Sequence, residues 1–246
     1  MIRGELDVRT PDGVAHAWTY RPDERAYPGV LLCIDAFGVR PAMQAMAERL
    51  AALGYVVLLP NVFYRAGDFP KFDVRTAFVD PAERDRLMAL LRSLTAERMA
   101  MDTGACLDAL AAQPGVRADR LGVTGYCMGG RMAFHAAAHH PGKVRAAASF
   151  HGGGFVTDQP DSPHLLASRI RGALFLGVAD QDRGCSPEHQ GVLARALAEA
   201  DVDYRIELFR GKKHGFAVSD HAGAYDEEAG ARHWRRLEAF FAETLG

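Results

Sequence analysis

Short apolar runs alternate along the chain with segments whose apolar residues recur every three or four positions. That is the pattern of buried strands alternating with amphipathic helices. Residues 30–34 and 55–60 are continuous apolar runs and predict two buried strands. Between them Met43, Met46, Ala47 and Leu50 share one helical face over 41–53, and Gly54 is placed to stop that helix. A helix over 96–112 leads through Pro114 and Gly115 to a strand at 121–124, with further strands near 144–150, 172–178 and 203–209. Ser186 and Pro187 read as an N-cap and a first helical residue, opening a helix that reaches about Ala200. A last helix buries Trp234, Leu237, Phe241 and Leu245. At the other end, the Pro11-Asp12-Gly13 turn between two short strands predicts an antiparallel hairpin.

Continuous apolar strands separated by amphipathic helices predict an α/β fold with a mostly parallel central sheet and helices on both faces. Ligands bind such sheets at the carboxyl ends of the strands, so functional residues are expected just after strands. Residues 62–94 break the rhythm; rich in aromatic, Arg and Asp residues, they are expected to cover part of the site. The 246 residues suit a single domain, with no repeat and no linker. A formal net charge of −2 gives no electrostatic case for nucleic acid or an anionic membrane surface. No apolar run approaches the ~18 residues that span a bilayer, and acids occupy the opening stretch where a secretory signal is apolar. The expected setting is the cytoplasm, and the expected state a monomer or weak homodimer with a small-molecule substrate.

Four cysteines, at 33, 106, 127 and 185, form no C-x-x-C pair. Cys33 lies in an apolar strand and Cys106 shares a helical face with Met99, Leu107 and Leu110, so both read as core. Cys127 differs. The run Gly125-Tyr126-Cys127-Met128-Gly129-Gly130 follows one predicted strand and precedes a helix. It is the G-x-S-x-G nucleophile elbow with Cys in place of Ser. The turn is tight enough to need its glycines, and it lifts the side chain to a helix N-terminus, where the dipole favours a thiolate. There the amide of Met128 would face a developing oxyanion.

Ten histidines compete for the role of base. His214, in a Gly-bounded loop after the strand near 203–209, stands where this topology places its catalytic histidine. His151 also ends a strand and is expected to line the pocket. His135 and His139 are four apart on a helix but lack a third metal ligand, so they read as surface residues. The acid should fall between nucleophile and histidine. Asp180 and Asp182 both end the strand near 172–178; Asp182 is preferred, and the other is read as a turn former.

At this point the chain resembles the dienelactone hydrolase family of Cys-dependent α/β-hydrolases over nearly its full length. Besides the elbow, the matching parts are Asp35-Ala36-Phe37-Gly38, Leu59-Pro60-Asn61-Val62-Phe63-Tyr64-Arg65, residues 177–182 and His214-Gly215-Phe216. The resemblance implies an α/β-hydrolase fold, with Asp182 as the triad acid. It implies that Asp35 restrains the resting thiol and that the Ala36 amide is the second oxyanion donor. It also implies that Arg65 grips a substrate carboxylate. Phe37, in the first motif, is expected at the substrate alongside His151. The family's second carboxylate-binding arginine falls where this chain has Val218, which points to substrates with less anionic character.

The expected chemistry is hydrolysis of an ester or lactone through a thioacyl-enzyme, by Cys127, His214 and Asp182, with no metal or organic cofactor. A general carboxylesterase or thioesterase on the same site is the nearest rival. A non-catalytic small-molecule binder, or a redox sensor using Cys127, is the rival from another class, and it would have no use for an intact histidine and acid.

Overall fold

The computed structural model describes residues 1–68 and 71–246; Phe69 and Pro70, in the expected cover, lie outside the described residues. Strands β1 (Ile2–Thr10) and β2 (Gly13–Arg21) form the opening hairpin. Then follow β3 (Tyr27–Cys33), α1 (Pro41–Ala52), β4 (Val56–Pro60), α2 (Pro81–Ser93), α3 (Ala96–Ala111) and β5 (Val116–Tyr126). The chain continues through α4 (Met128–His139), β6 (Val144–Phe150), β7 (Ala173–Gln181), α5 (Pro187–Glu199), β8 (Tyr204–Lys213) and α6 (Glu227–Leu245).

These strands make an eight-stranded sheet of order β1-β2-β4-β3-β5-β6-β7-β8. β2 pairs antiparallel with β1 and β4, and every pair from β4 to β8 is parallel. The continuous burial of β3, β4 and β6 follows from helices on both faces, and it is why these segments read as unbroken apolar runs. The fold is that of an α/β-hydrolase. From β3 the chain moves outward to β4 and then returns to place β5 on the other side of β3. Such a reversal opens a crevice at the carboxyl ends of the two strands. Asp35 and Ala36 follow β3 there, and Cys127 follows β5.

Local chemistry fixes the helix starts. Asp80, Thr95, Ser186 and Asp226 each accept a hydrogen bond from a backbone amide three residues on. Proline opens α1, α2 and α5, where its missing N–H costs nothing. Most expected elements stand within a few residues of their predicted bounds. β5 and β8 run longer, to Tyr126 and Lys213, and so reach the elbow and the histidine loop directly.

The expected cover contains α2, capped by Asp80, with Leu87 fully buried. One expectation needs correction. His135 is not a surface residue; it is 2 % exposed on α4, and burial lowers its pKa to about 4. Helix α4 is buried nearly all round, so its faces do not divide into apolar and wet.

Candidate active site

The elbow is held by close contacts that admit only glycine. A Cβ on Gly125 would lie 2.0 Å from the Gly129 carbonyl oxygen, and one on Gly129 would lie 2.3 Å from that of Cys33. One on Gly130 would meet the Ser149 Oγ at 2.2 Å. With its neighbours packed this tightly, Cys127 takes φ 57° and ψ −120°, a strained backbone for a residue with a side chain. It alone of the four cysteines is not buried. Burial raises the Cys33 thiol to about 12 and pushes Cys106 higher still, so neither is poised to react.

Three further strands deliver their ends to the same edge. Asp182 follows β7, and its Oδ2 lies 2.6 Å from His214 Nδ1 in the loop after β8. Its Oδ1 accepts from the Gly184 amide at 2.8 Å, so both carboxylate oxygens are fixed. The Arg183–Cys185 turn is thus the backbone clamp of this aspartate. Asp180, still within β7, is exposed. His214 also feels Cys127 electrostatically. Burial alone would pull its pKa down. The negative charge that Cys127 can carry and the bond to Asp182 outweigh burial and lift the value to about 10.

His151 follows β6 and is fully buried, with φ 41°. Its ring lies 5.2 Å from that of His214 and 5.3 Å from that of Phe216, both edge to face. Neither ring nitrogen has a hydrogen-bond partner among the described residues. Burial holds the ring neutral, and the neighbouring histidines add to that effect. His151 therefore packs behind His214 rather than facing the pocket.

After β3, Asp35 is fully buried, but its oxygens are occupied. Arg40 donates to Oδ1 at 2.6 Å and to Oδ2 at 2.8 Å, the Phe37 amide donates to Oδ1 at 3.0 Å, and His221 Nε2 lies 3.0 Å from Oδ2. Burial would raise its pKa, yet the bonds to His221 and Arg40 keep it lowered. Arg40 also holds Asp220 at 2.6 and 2.8 Å. The expectation that Asp35 restrains the Cys127 thiol is therefore corrected: its carboxylate is locked in an ion-pair network that ties the β3 loop to the histidine loop. Asp220 and His221 were not foreseen, nor was Arg40 as the partner of Asp35. The Ala36 amide, by contrast, makes no hydrogen bond among the described residues, and the Met128 amide opens α4.

Arg65, expected to grip a substrate carboxylate, is engaged within the chain instead. Its guanidinium donates to Asp102 at 2.7 and 2.8 Å and to Asp12 at 2.7 Å, pinning the hairpin turn to α3. Three of its five N–H groups are thereby spent on two carboxylates that already neutralise its charge. Val218 is fully buried in the main core. Phe37 does lie at the site: with Ala36, Phe72, Ala77 and Leu87 it forms an apolar cluster against which Cys127 packs. No group of three or more His, Cys, Asp or Glu among the described residues could hold a metal ion. None of the described helices is long and apolar enough to cross a membrane.

The sequence profile of the dienelactone hydrolase family matches residues 15–245. A Salmonella typhi protein with the provisional name carboxymethylenebutenolidase is 26% identical over 261 residues, covering 97% of this chain and 92% of its own. Among solved structures, a provisionally named dienelactone hydrolase of Klebsiella pneumoniae superposes with a TM-score of 0.84 at 24% identity, over 98% of each chain. A dienelactone hydrolase-like promiscuous phosphotriesterase from metagenomic libraries gives 0.82 at 24% identity over 100% of each. At that identity the two structures speak for the fold.

Proposed function

The chain belongs to the dienelactone hydrolase family of hydrolases, and we propose that it cleaves an ester or lactone through a thioacyl-enzyme on Cys127, with His214 as base and Asp182 as its orienting acid. One observation carries this reading: Asp182 holds His214 through Nδ1 at 2.6 Å, which leaves Nε2 for the thiol. The electrostatic influence of Cys127 on His214 supports the same pairing.

In the first half-reaction the Cys127 thiolate attacks the carbonyl carbon. The negative charge that develops on oxygen is held by the Met128 and Ala36 amides, which are otherwise uncommitted. Collapse of the tetrahedral species expels the alkoxide, which takes its proton from the His214 imidazolium. In the second half, neutral His214 removes a proton from water as the hydroxide attacks the thioester. The acid leaves, and thiolate and imidazolium are restored. A metal or organic cofactor has no part in these steps. Sulfur departs more readily than oxygen, so a lactone-derived acyl-enzyme can reclose; esters whose alcohol departs readily are favoured. The cluster of Phe37, Phe72 and Leu87 beside Cys127 suits a hydrocarbon group of a small substrate. The whole chain is proposed to act as one catalytic domain.

The test is turnover of p-nitrophenyl acetate before and after iodoacetamide, and in Cys127→Ala. Loss in both cases is expected, and undiminished turnover in either would remove Cys127 from the chemistry. The engagement of Arg65 by Asp12 and Asp102 favours a second reading on the same site, a general carboxylesterase or thioesterase. A panel of lactones, oxygen esters and thioesters separates the two.

A further inference from the structure

The cover ahead of α2 presents two apolar side chains to water. Phe78 is 50 % exposed and Val79 77 %, and they are neighbours in the chain. Single exposed apolar residues, such as Val14 or Val192, need no explanation. This pair differs in what stands behind it. Ala77, the preceding residue, is fully buried in the apolar cluster against which Cys127 packs. The Phe78 ring meets the Phe37 ring edge to face, with centroids 5.6 Å apart, and Phe37 belongs to the same cluster. An apolar path thus runs from Cys127 over Phe37 to Phe78 and out to solvent.

The turn that carries the exposed pair is fixed by hydrogen bonds. The Ala77 amide donates to the Asp73 carbonyl at 2.9 Å, and the Val79 and Asp80 amides donate to the Thr76 carbonyl at 2.7 and 2.8 Å. Thr76 Oγ1 donates to Glu83 Oε2 at 2.6 Å, which joins the turn to α2. Phe37 is held from other sides, by the Arg40 guanidinium 5.4 Å from its ring centroid and by the His221 ring at 5.1 Å. The apolar surface of Phe78 and Val79 is therefore kept in water by its backbone, and it gains free energy when a hydrocarbon covers it.

The chemistry of the acyl-enzyme decides which part of an ester lies on this path. The acyl group becomes bonded to Cys127 and stays there through the second half-reaction, while the alcohol oxygen leaves with the proton of His214. The acyl chain therefore starts at the residue that packs on the apolar cluster, and the alcohol lies on the side of His214. We propose that Phe37 and Phe78 line an acyl-chain track, and that the substrates are esters of hydrocarbon acids whose chain reaches Phe78 and Val79. This substrate class rests on Cys127 as the nucleophile. Phe78 is its specificity-determining residue. The track is open at Val79, so methylenes beyond it lie in water and add nothing.

The test is kcat/KM for p-nitrophenyl esters from acetate to decanoate, each below its micelle concentration, in wild type, Phe78→Ser and Phe78→Leu. Burying one methylene is worth about four-fold, so wild type should climb with chain length and then level off. Phe78→Ser should lower the octanoate-to-acetate ratio about ten-fold, and Phe78→Leu should keep most of it. General damage to the cover slows both esters together, and the ratio cancels it. Val79→Ser, at the more exposed position, should lower the ratio as well and serves should Phe78→Ser not fold. A second arm needs no turnover: octanamide and acetamide compete with alkylation of Cys127 by iodoacetamide, located by peptide mapping. Octanamide should protect wild type at far lower concentration than acetamide, and Phe78→Ser should narrow that gap. An ester ratio or a protection gap that is the same in wild type and Phe78→Ser, or Val79→Ser in its place, overturns the proposal. So does a chain-length preference that appears only with micelles or vesicles, which would make Phe78 and Val79 a lipid-surface anchor. Failure of the hydrolase reading would show separately, as turnover that survives Cys127→Ala.

Discussion

Arg40 and Asp35 meet fork to fork, at 2.6 and 2.8 Å, in a setting where the carboxylate is fully buried. Through Asp220 and His221 the same pair joins the loop after β3 to the loop after β8. An acid so engaged cannot also hold a thiol, and its work is to fix the loop that carries the Ala36 amide. Removing the cation leaves a buried, uncompensated charge, which costs about 3–5 kcal/mol. Arg40→Met should therefore melt well below wild type and lose activity with its fold. In Asp35→Asn, Cys127 alkylation should not accelerate across the pH range. A marked acceleration in a folded Asp35→Asn protein would show that Asp35 restrains the thiol after all.

Asp182 and Asp180 are two residues apart, yet only Asp182 reaches His214. Asp182→Asn should lower kcat by several orders of magnitude, because an amide can hold His214 in the wrong tautomer. Asp180→Asn, at an exposed strand position, should be mild. A crippled Asp180→Asn beside an active Asp182→Asn would reverse the assignment.

The cysteines should divide by burial. Cys127→Ala should abolish esterase activity while the protein still folds and melts cooperatively, since Cys127 is partly exposed. Cys33→Ala and Cys106→Ala should instead lower the melting temperature through lost packing, with activity per folded molecule retained. Thermal melts and turnover on the same samples decide it.

His214 links stability to pH. In the folded protein its pKa rises to about 10, against roughly 6.5 for an unfolded histidine. Between those values the folded state binds the extra proton. The contribution is complete below about pH 6.5 and is lost as pH climbs toward 10. Burial opposes the rise, and the charge of Cys127 is the leading cause that reverses it. The melting temperature of wild type should therefore fall more steeply between about pH 7 and 10 than that of Cys127→Ala. Parallel curves would show that the pair does not form.

The sequence disclosed those parts of the proposed site that depend on neighbours in the chain. Elbow glycines, the cysteine between them and strand ends followed by Asp182 or His214 are local patterns, and their physics is local. Asp35 was legible as an acid after a strand, but its partners Asp220 and His221 arrive from the far end of the chain. Arg65 looked free because Asp12 and Asp102 approach it only in the folded state. His135 misled for a different reason: on a helix covered from every side, a polar residue does not mark a wet face.

The central claim is a covalent acyl-enzyme on Cys127, and trapping it is the most direct measurement. The enzyme is mixed with excess p-nitrophenyl acetate, quenched in acid within the first turnover, and read by intact mass and peptide mapping. The prediction is a single acetyl group on the peptide bearing Cys127, formed with a matching burst of p-nitrophenolate and absent in Cys127→Ala. Steady turnover by Cys127→Ala, or an acetyl group on another residue with Cys127 unmodified, would contradict it.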